Sequence, residues 1–206
     1  MTTSPTHIGV GYYYNVYDLG NGRVRKVEKG FFAKALYALP REKFDFTVLY
    51  RLLAHRKHIT ETYRRIRTVD QSLIGHPAFL SGLDYEQDKA VILEDALSSA
   101  IAAQQHAIID VYTQHIITCW RHGFADTVFN FSVNNGIDKN GTPILLDFNE
   151  VTFDKEKVRH NIQTNRWLRA YSFTHHLPEN LQHYYTEQME KFLTIEKLAE
   201  IWGQKV

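Results

Sequence analysis

The sequence predicts an α+β protein, and three observations carry that prediction. Residues 7–19 alternate between apolar and polar through Ile8, Val10, Tyr12, Tyr14 and Val16, as a half-buried strand does. Residues 98–122 carry Ile101, Ile108, Ile109, Tyr112, Ile116 and Trp120 at the spacing of one helix face. The expected elements come in blocks, strands then helix then strands then helices, not in the regular alternation that builds a parallel sheet.

Each element has a local reason. The alternating segment ends at Gly20-Asn21-Gly22, and an Asn-Gly pair between apolar runs signals a hairpin, so Arg23 to Glu28 is the return strand. Pro40 suits the first turn of a helix, which Phe44, Val48, Leu49, Leu52 and Leu53 would continue into the basic run Arg56 to Arg67. That run reads as a solvated helix face or as a patch for phosphate or a partner. Residues 79–85 and 89–94 read as two further strands, with Gln87-Asp88 as their turn. Gly123 follows the long helix as a cap. Asn140-Gly141 predicts a second hairpin, and residues 155–206 read as helices with Leu168, Phe192, Leu193, Leu198 and Trp202 in their core.

Composition narrows the function classes. A formal net charge of +1 lacks the basic excess of a nucleic-acid binder, so no nucleic acid is expected as a partner. No stretch has the apolar length of a membrane span, and Met1 to Thr6 shows no signal-peptide pattern, so a soluble, cytoplasmic protein with no membrane partner is expected. The single cysteine, Cys119, lies in the apolar run Ile116 to Trp120 and reads as a buried, inert thiol. The histidines offer no metal set: His55 and His58 lack a third ligand nearby, and adjacent His175 and His176 diverge on a helix.

Four sets of residues can carry chemistry. Gly9 and Gly11, one residue apart, let the backbone approach a ligand, though alone they also fit a bend. Lys26 on the return strand can place a point charge against phosphates. Asn134 and Asp147 supply hard oxygen ligands of the kind Mg²⁺ takes, and a hairpin joins them; Asn130 is a rival amide ligand. Asp126, read as a loop residue after His122-Gly123, could accept a proton from an attacking hydroxyl.

Together these residues resemble the protein-kinase-like superfamily, in its compact bacterial form. Gly9-Val10-Gly11 with Val16 resembles the glycine-rich loop, and Val24-Arg25-Lys26 the third-strand lysine. His122-Gly123 with Asp126, then Asn134-Asn135-Gly136 and Ile144 to Glu150, is similar to the catalytic loop and metal-binding turn. The separation of Asn134 and Asp147, 147 − 134 = 13 residues, equals that of the superfamily. The resemblance implies a two-lobed fold with a reduced C-terminal lobe, divided into residues 1–96 and 97–206. It implies an ATP- and Mg²⁺-dependent phosphotransferase acting on a protein or a small hydroxyl-bearing acceptor. Gly9, Gly11 and Val16 would cover the nucleotide, Lys26 would contact its phosphates, and backbone near Glu94 would hold adenine. Asn134 and Asp147 would bind Mg²⁺, and Asp126 would orient or deprotonate the acceptor.

The chain departs from that pattern in specific places. Tyr14 stands at the third glycine of the loop, no His-Arg-Asp triplet is present, and Phe129 occupies the position five residues before Asn134 where the superfamily has its aspartate. Glu42 is the best-placed glutamate to pair with Lys26. These departures motivate an alternative, a pseudokinase-type binding or regulatory module. An unrelated α+β interaction protein is the third reading.

Overall fold

The structure is a computed structural model that describes residues 4–11, 13–41 and 43–202. Tyr12, expected in the first strand, and Glu42, expected to pair with Lys26, lie outside the described residues. The protein is α+β, with antiparallel sheets and a majority of helix. It forms two compact units, one of Met1–Gln71 with Gly75–Lys89 and one of Ser72–Ile74 with Ala90–Val206.

The first unit contains β1 (Thr6–Val10), β2 (Tyr14–Asp18), β3 (Arg23–Glu28), α1 (Phe31–Arg41), α2 (Thr47–Ile66), β4 (Ala78–Phe79) and β5 (Tyr85–Asp88). The strands form one sheet in the order β1-β2-β3-β5-β4. The alternating segment thus becomes two strands, and the Asn21-Gly22 hairpin joins β2 to β3 as expected. Its turn is closed by Leu19 N–H donating to the Arg23 carbonyl at 3.0 Å, with Gly20 and Gly22 at positive φ.

Register assigns the two faces of this sheet. Val24 lies opposite Gln87, Lys26 opposite Val16 and Tyr85, and Glu28 opposite Tyr14. On that face Tyr14, Val24, Tyr85 and Gln87 are buried, and the Tyr14 hydroxyl meets that of Tyr63 on α2 at 2.6 Å. The other face is polar. There Arg23 pairs with Asp88 at 2.9 Å and Arg25 with Glu86 at 2.6 Å, each directly across the strands.

Three sequence expectations for the first 100 residues need correction. Pro40 does not open a helix; it sits near the end of α1, a helix built on the small buried residues Ala35 and Ala38. Its ring and missing N–H weaken the last turn, and the chain leaves the helix where Lys43 and Phe44 take positive φ. Gln87-Asp88 is strand and not turn, because both pair with β3; the turn between β4 and β5 is Leu80 to Asp84, closed by Leu80 N–H to the Asp84 carbonyl at 2.9 Å. The strand expected over 89–94 stops at Ile92. A helix begins at Leu93, where Glu94 and Asp95 favour its first turn and Leu93 and Leu97 share a buried face.

The second unit contains β6 (Val91–Ile92), α3 (Leu93–Ser99), α4 (Ala102–Arg121), β7 (Ala125–Asp126), α5 (Phe131–Asn134), β8 (Asn135–Ile137), β9 (Pro143–Leu145), β10 (Val151–Thr152), α6 (Lys155–Gln163), α7 (Glu179–Phe192) and α8 (Ile195–Trp202). Helix α4 is the predicted long helix. Ile109, Tyr112, Ile116 and Trp120 lie along one buried stripe, and α7 and α8 pack against it. Phe129, Phe131, Trp167, Tyr185 and Met189 complete the core. Among the described residues no helix is long and apolar enough to cross a membrane.

Candidate functional site

The most structured set of predicted residues surrounds the β8–β9 hairpin. Asn135 faces Leu145, Gly136 faces Ile144 and Ile137 faces Pro143. The turn is local chemistry: Asp138 Oδ1 accepts from the N–H groups of Asn140 and Thr142 at 2.8 Å each, and Gly141 has a φ of 82°. At the other end, Leu146 N–H donates to the Asn134 carbonyl at 2.7 Å. Pairing therefore continues past the strand, and Asp147 leaves the hairpin next to the backbone of Asn134. Strand β6 lies so close to Gly136 that a Cβ there would fall 2.8 Å from the Val91 carbonyl oxygen.

Asn134 is the last residue of α5, tethered by its N–H to the Asn130 carbonyl at 2.8 Å. Asp147 is half-buried, and its Oδ1 accepts from Asn149 N–H at 3.0 Å. The Oδ1 of Asn130, the rival ligand, is buried with no hydrogen-bond partner. Among the described residues no group of three or more His, Cys, Asp and Glu is arranged to hold a metal. Asn134 and Asp147 carry one amide and one carboxylate oxygen donor, the hard-oxygen types that Mg²⁺ takes.

Asp126 is not in a loop. Its strand β7 pairs with β10, Asp126 opposite Val151. The pairing is extended by Thr127, whose N–H and hydroxyl both donate to the Glu150 carbonyl at 2.9 Å. Asp126 Oδ1 accepts from Val128 N–H at 2.9 Å, while Oδ2 is shut off from solvent and has no partner. Burial pushes this carboxyl up to about 7; the charges of Glu150 and Asp147 add to the effect and the Val128 amide opposes it. Glu150, which the sequence reading gave no role, is likewise held above the ordinary carboxylate range, by burial first and the charge of Asp147 second. Asp147 and Glu150 thus both act on Asp126, and Asp147 acts on Glu150, the third carboxylate here. The signal for the third was its place three residues after Asp147.

Phe129, five residues before Asn134, is buried and meets Trp167 edge-on with ring centroids 5.9 Å apart. Its φ is 55°, a left-handed conformation unusual for a bulky residue.

In the first unit, Gly9, Val16, Lys26 and Tyr85 form one row across four strands. Gly9 pairs with Val16, Val16 with Lys26 and Lys26 with Tyr85. A Cβ on Gly9 would rest 3.8 Å from that of Val16. Lys26 Nζ stands 5.5 Å from the Tyr85 ring centroid. The Gly11 turn is held by Gly11 N–H donating to the Tyr14 carbonyl at 2.9 Å and by Lys29 Nζ donating to the Gly11 carbonyl at 2.7 Å. A second lysine on this unit escaped sequence reasoning. Lys34 on α1 is buried and pairs with Glu28 of β3 at 2.6 Å, and Arg56 approaches the same carboxylate at 3.5 Å.

Glu94 stands in the first turn of α3, and its carboxylate lies 2.9 Å from His176 Nδ1. Ser132 Oγ lies 2.9 Å from the same nitrogen and 2.8 Å from Ser172 Oγ. This grouping is not a nucleophilic triad. Carboxylate and hydroxyl share one ring nitrogen, whereas a Ser-His-acid relay uses both.

No protein-family model matches the chain, and no curated protein matches it. Among solved structures the chain is similar to Rv3197 of Mycobacterium tuberculosis, determined in complex with erythromycin, with a TM-score of 0.50 at 15% sequence identity. The match covers 100% of this chain and 61% of Rv3197, so the chain spans about three fifths of that protein's length. At that identity the likeness concerns the fold alone.

Proposed function

We propose that this chain is a two-lobed, kinase-like protein that binds ATP together with Mg²⁺. The observation that supports it best is the backbone hydrogen bond from Leu146 to Asn134, which brings Asn134 and the residue after Leu146, Asp147, to the same end of a short hairpin. Asn134 and Asp147 would hold Mg²⁺, and the metal would neutralise phosphate charge. On the first unit, Gly9, Gly11 and Val16 would cover the nucleotide and Lys26 would contact its phosphates. The backbone around Glu94 would take the base, through N–H groups that a first helical turn leaves without helical partners.

Whether phosphate is then transferred to a protein or a small hydroxyl-bearing acceptor turns on Asp126. One oxygen of this carboxylate is held by Val128 and the other is closed to solvent, while Phe129 stands at the position expected of a base. These observations favour the pseudokinase-type module, which binds nucleotide and regulates without transfer.

Calorimetry of ATP with and without Mg²⁺ tests the proposal on wild type, Asp147→Ala and Lys26→Ala. Wild type should bind more tightly with Mg²⁺. Asp147→Ala should lose the Mg²⁺ dependence, and Lys26→Ala should weaken binding under both conditions. Absence of ATP binding by wild type in either condition would overturn the reading and leave an interaction protein. Phosphoryl transfer that Asp126→Asn abolishes would overturn the choice of a binding module.

A further inference from the structure

Exposed apolar side chains are not spread evenly over the described residues. Seven of the fourteen large ones lie between Phe32 and Leu53, on the hairpin of α1 and α2. A helix on a protein surface needs one apolar stripe, turned to the core. On α2 that stripe is Val48, Leu52, Ile59 and Ile66, all buried. Helix α2 carries a second stripe directly opposite. Phe46, Tyr50 and Leu53 follow one another at helical spacing and are 69%, 77% and 56% exposed. Phe46 has helical φ and ψ, so the spacing holds from there. The same outer stripe continues into Lys57 and Arg64, both exposed, with Arg64 paired to Glu61 at 2.7 Å. Core packing accounts for the inner stripe and leaves the outer one without a role in folding.

Charge is concentrated on the same hairpin. Residues 29–67 hold ten Lys and Arg against three Asp and Glu, 10 − 3 = +7, while the whole chain carries +1. The remainder is therefore 1 − 7 = −6, and attraction for anions is confined to this stretch. This charge selects what covers the outer stripe. A second copy would set +7 against +7, and like charges facing across a contact repel. The occupant is anionic. An acidic protein would have to offer a groove shaped to a ridge of protruding side chains. An anionic bilayer needs no such shape: its phosphates attract Lys and Arg, and the boundary below them takes Phe, Tyr and Leu in any arrangement.

We propose that α2 is a peripheral membrane-binding helix that lies on anionic lipid surfaces. Phe46, Tyr50 and Leu53 enter the headgroup boundary, and Lys57 and Arg64 are held against lipid phosphates. The expectation of no membrane partner rested on the apolar length that spanning requires, which a helix lying on the surface does not need. The inference does not rest on the nucleotide reading.

The test is co-sedimentation of the full chain with vesicles of phosphatidylcholine alone or with about 30% phosphatidylglycerol, an anionic lipid. The protein should bind the anionic vesicles and not the neutral ones, and high salt should weaken binding. The double variant Tyr50→Ser/Leu53→Ser should bind roughly 10-fold more weakly or worse, through lost apolar insertion. Lys57→Glu should weaken binding by roughly 10-fold. Both change exposed side chains, so urea unfolding should stay near wild type. Ile101→Ser, at an exposed apolar position on the second unit, should bind as wild type does. No binding to anionic vesicles, equal binding to neutral ones, or full binding by the double variant would each overturn the proposal. Without vesicle binding, a dimer in analytical ultracentrifugation that the double variant dissolves would give the stripe to a second copy. Binding of poly-glutamate in its place would give it to an acidic polypeptide.

Discussion

Replacing Asp126 by Asn should change how stability depends on pH, and the structure gives the sign and size. The carboxyl rises from 3.8 to about 7 in the folded protein. A group raised on folding contributes stability that is complete below its unfolded value and lost as pH climbs through its folded value. Across the whole window this is worth about 4 kcal/mol, at about 1.36 kcal/mol per unit. Integrating the linkage between about pH 5 and pH 8 leaves a loss of about 2–3 kcal/mol that belongs to Asp126. Asparagine has nearly the same shape and does not titrate, so Asp126→Asn should lack this loss. The assay is urea unfolding at a series of pH values in EDTA, comparing wild type with variant. His115 contributes with the opposite sign: it is lowered from 6.5 to about 4, so its share is present above 6.5 and disappears as pH falls through about 4. That share cancels in the difference between the two proteins. Parallel stability profiles, agreeing within about 0.5 kcal/mol, would refute the reasoning; they would mean that Oδ2 is hydrated and the carboxyl ionises as in the unfolded chain.

Other side chains make simpler predictions. Glu28→Ala removes the partner of buried Lys34 and should cost about 3 kcal/mol in urea unfolding, far more than Arg25→Ala on the solvated face of the same sheet, at about 0–1 kcal/mol. Gly136→Ala places a methyl 2.8 Å from the Val91 carbonyl oxygen and should destabilise by about 1–3 kcal/mol, measured the same way. Cys119 is buried and its thiol pushed up by burial, so labelling by a thiol reagent should proceed only as fast as the protein opens and should accelerate in urea.

Which features were legible in the sequence depended on how local their causes are. Both Asn-Gly hairpins form where expected because turn residues act on their own neighbours, as Asp138 does on Asn140 and Thr142. The α4 stripe was readable because a helix buries what its own period aligns. The proximity of Asn134 and Asp147 followed from the short hairpin joining them. Helix α1 was missed because its buried face is made of alanines, while its large residues Phe32 and Leu36 point outward. The Glu28–Lys34 pair and the shielding of Asp126 were not legible at all. Each is set by chain distant in sequence or by packing around it; for Asp126 the partner strand is β10.

Phe129 bears on reversibility. A lineage that needed an acid five residues before Asn134 could not recover one here by a single codon change. An aspartate at 129 would exchange an aromatic contact with Trp167 for a charge in the core, at a cost on the order of 4 kcal/mol or more, against a total stability of about 5–15 kcal/mol for a typical domain. The left-handed backbone at 129 would suit aspartate, but Trp167 would have to change along with it. A chain carrying the aspartate without a matching change at Trp167 would fold poorly, so the Phe129–Trp167 contact ties position 129 to an apolar side chain.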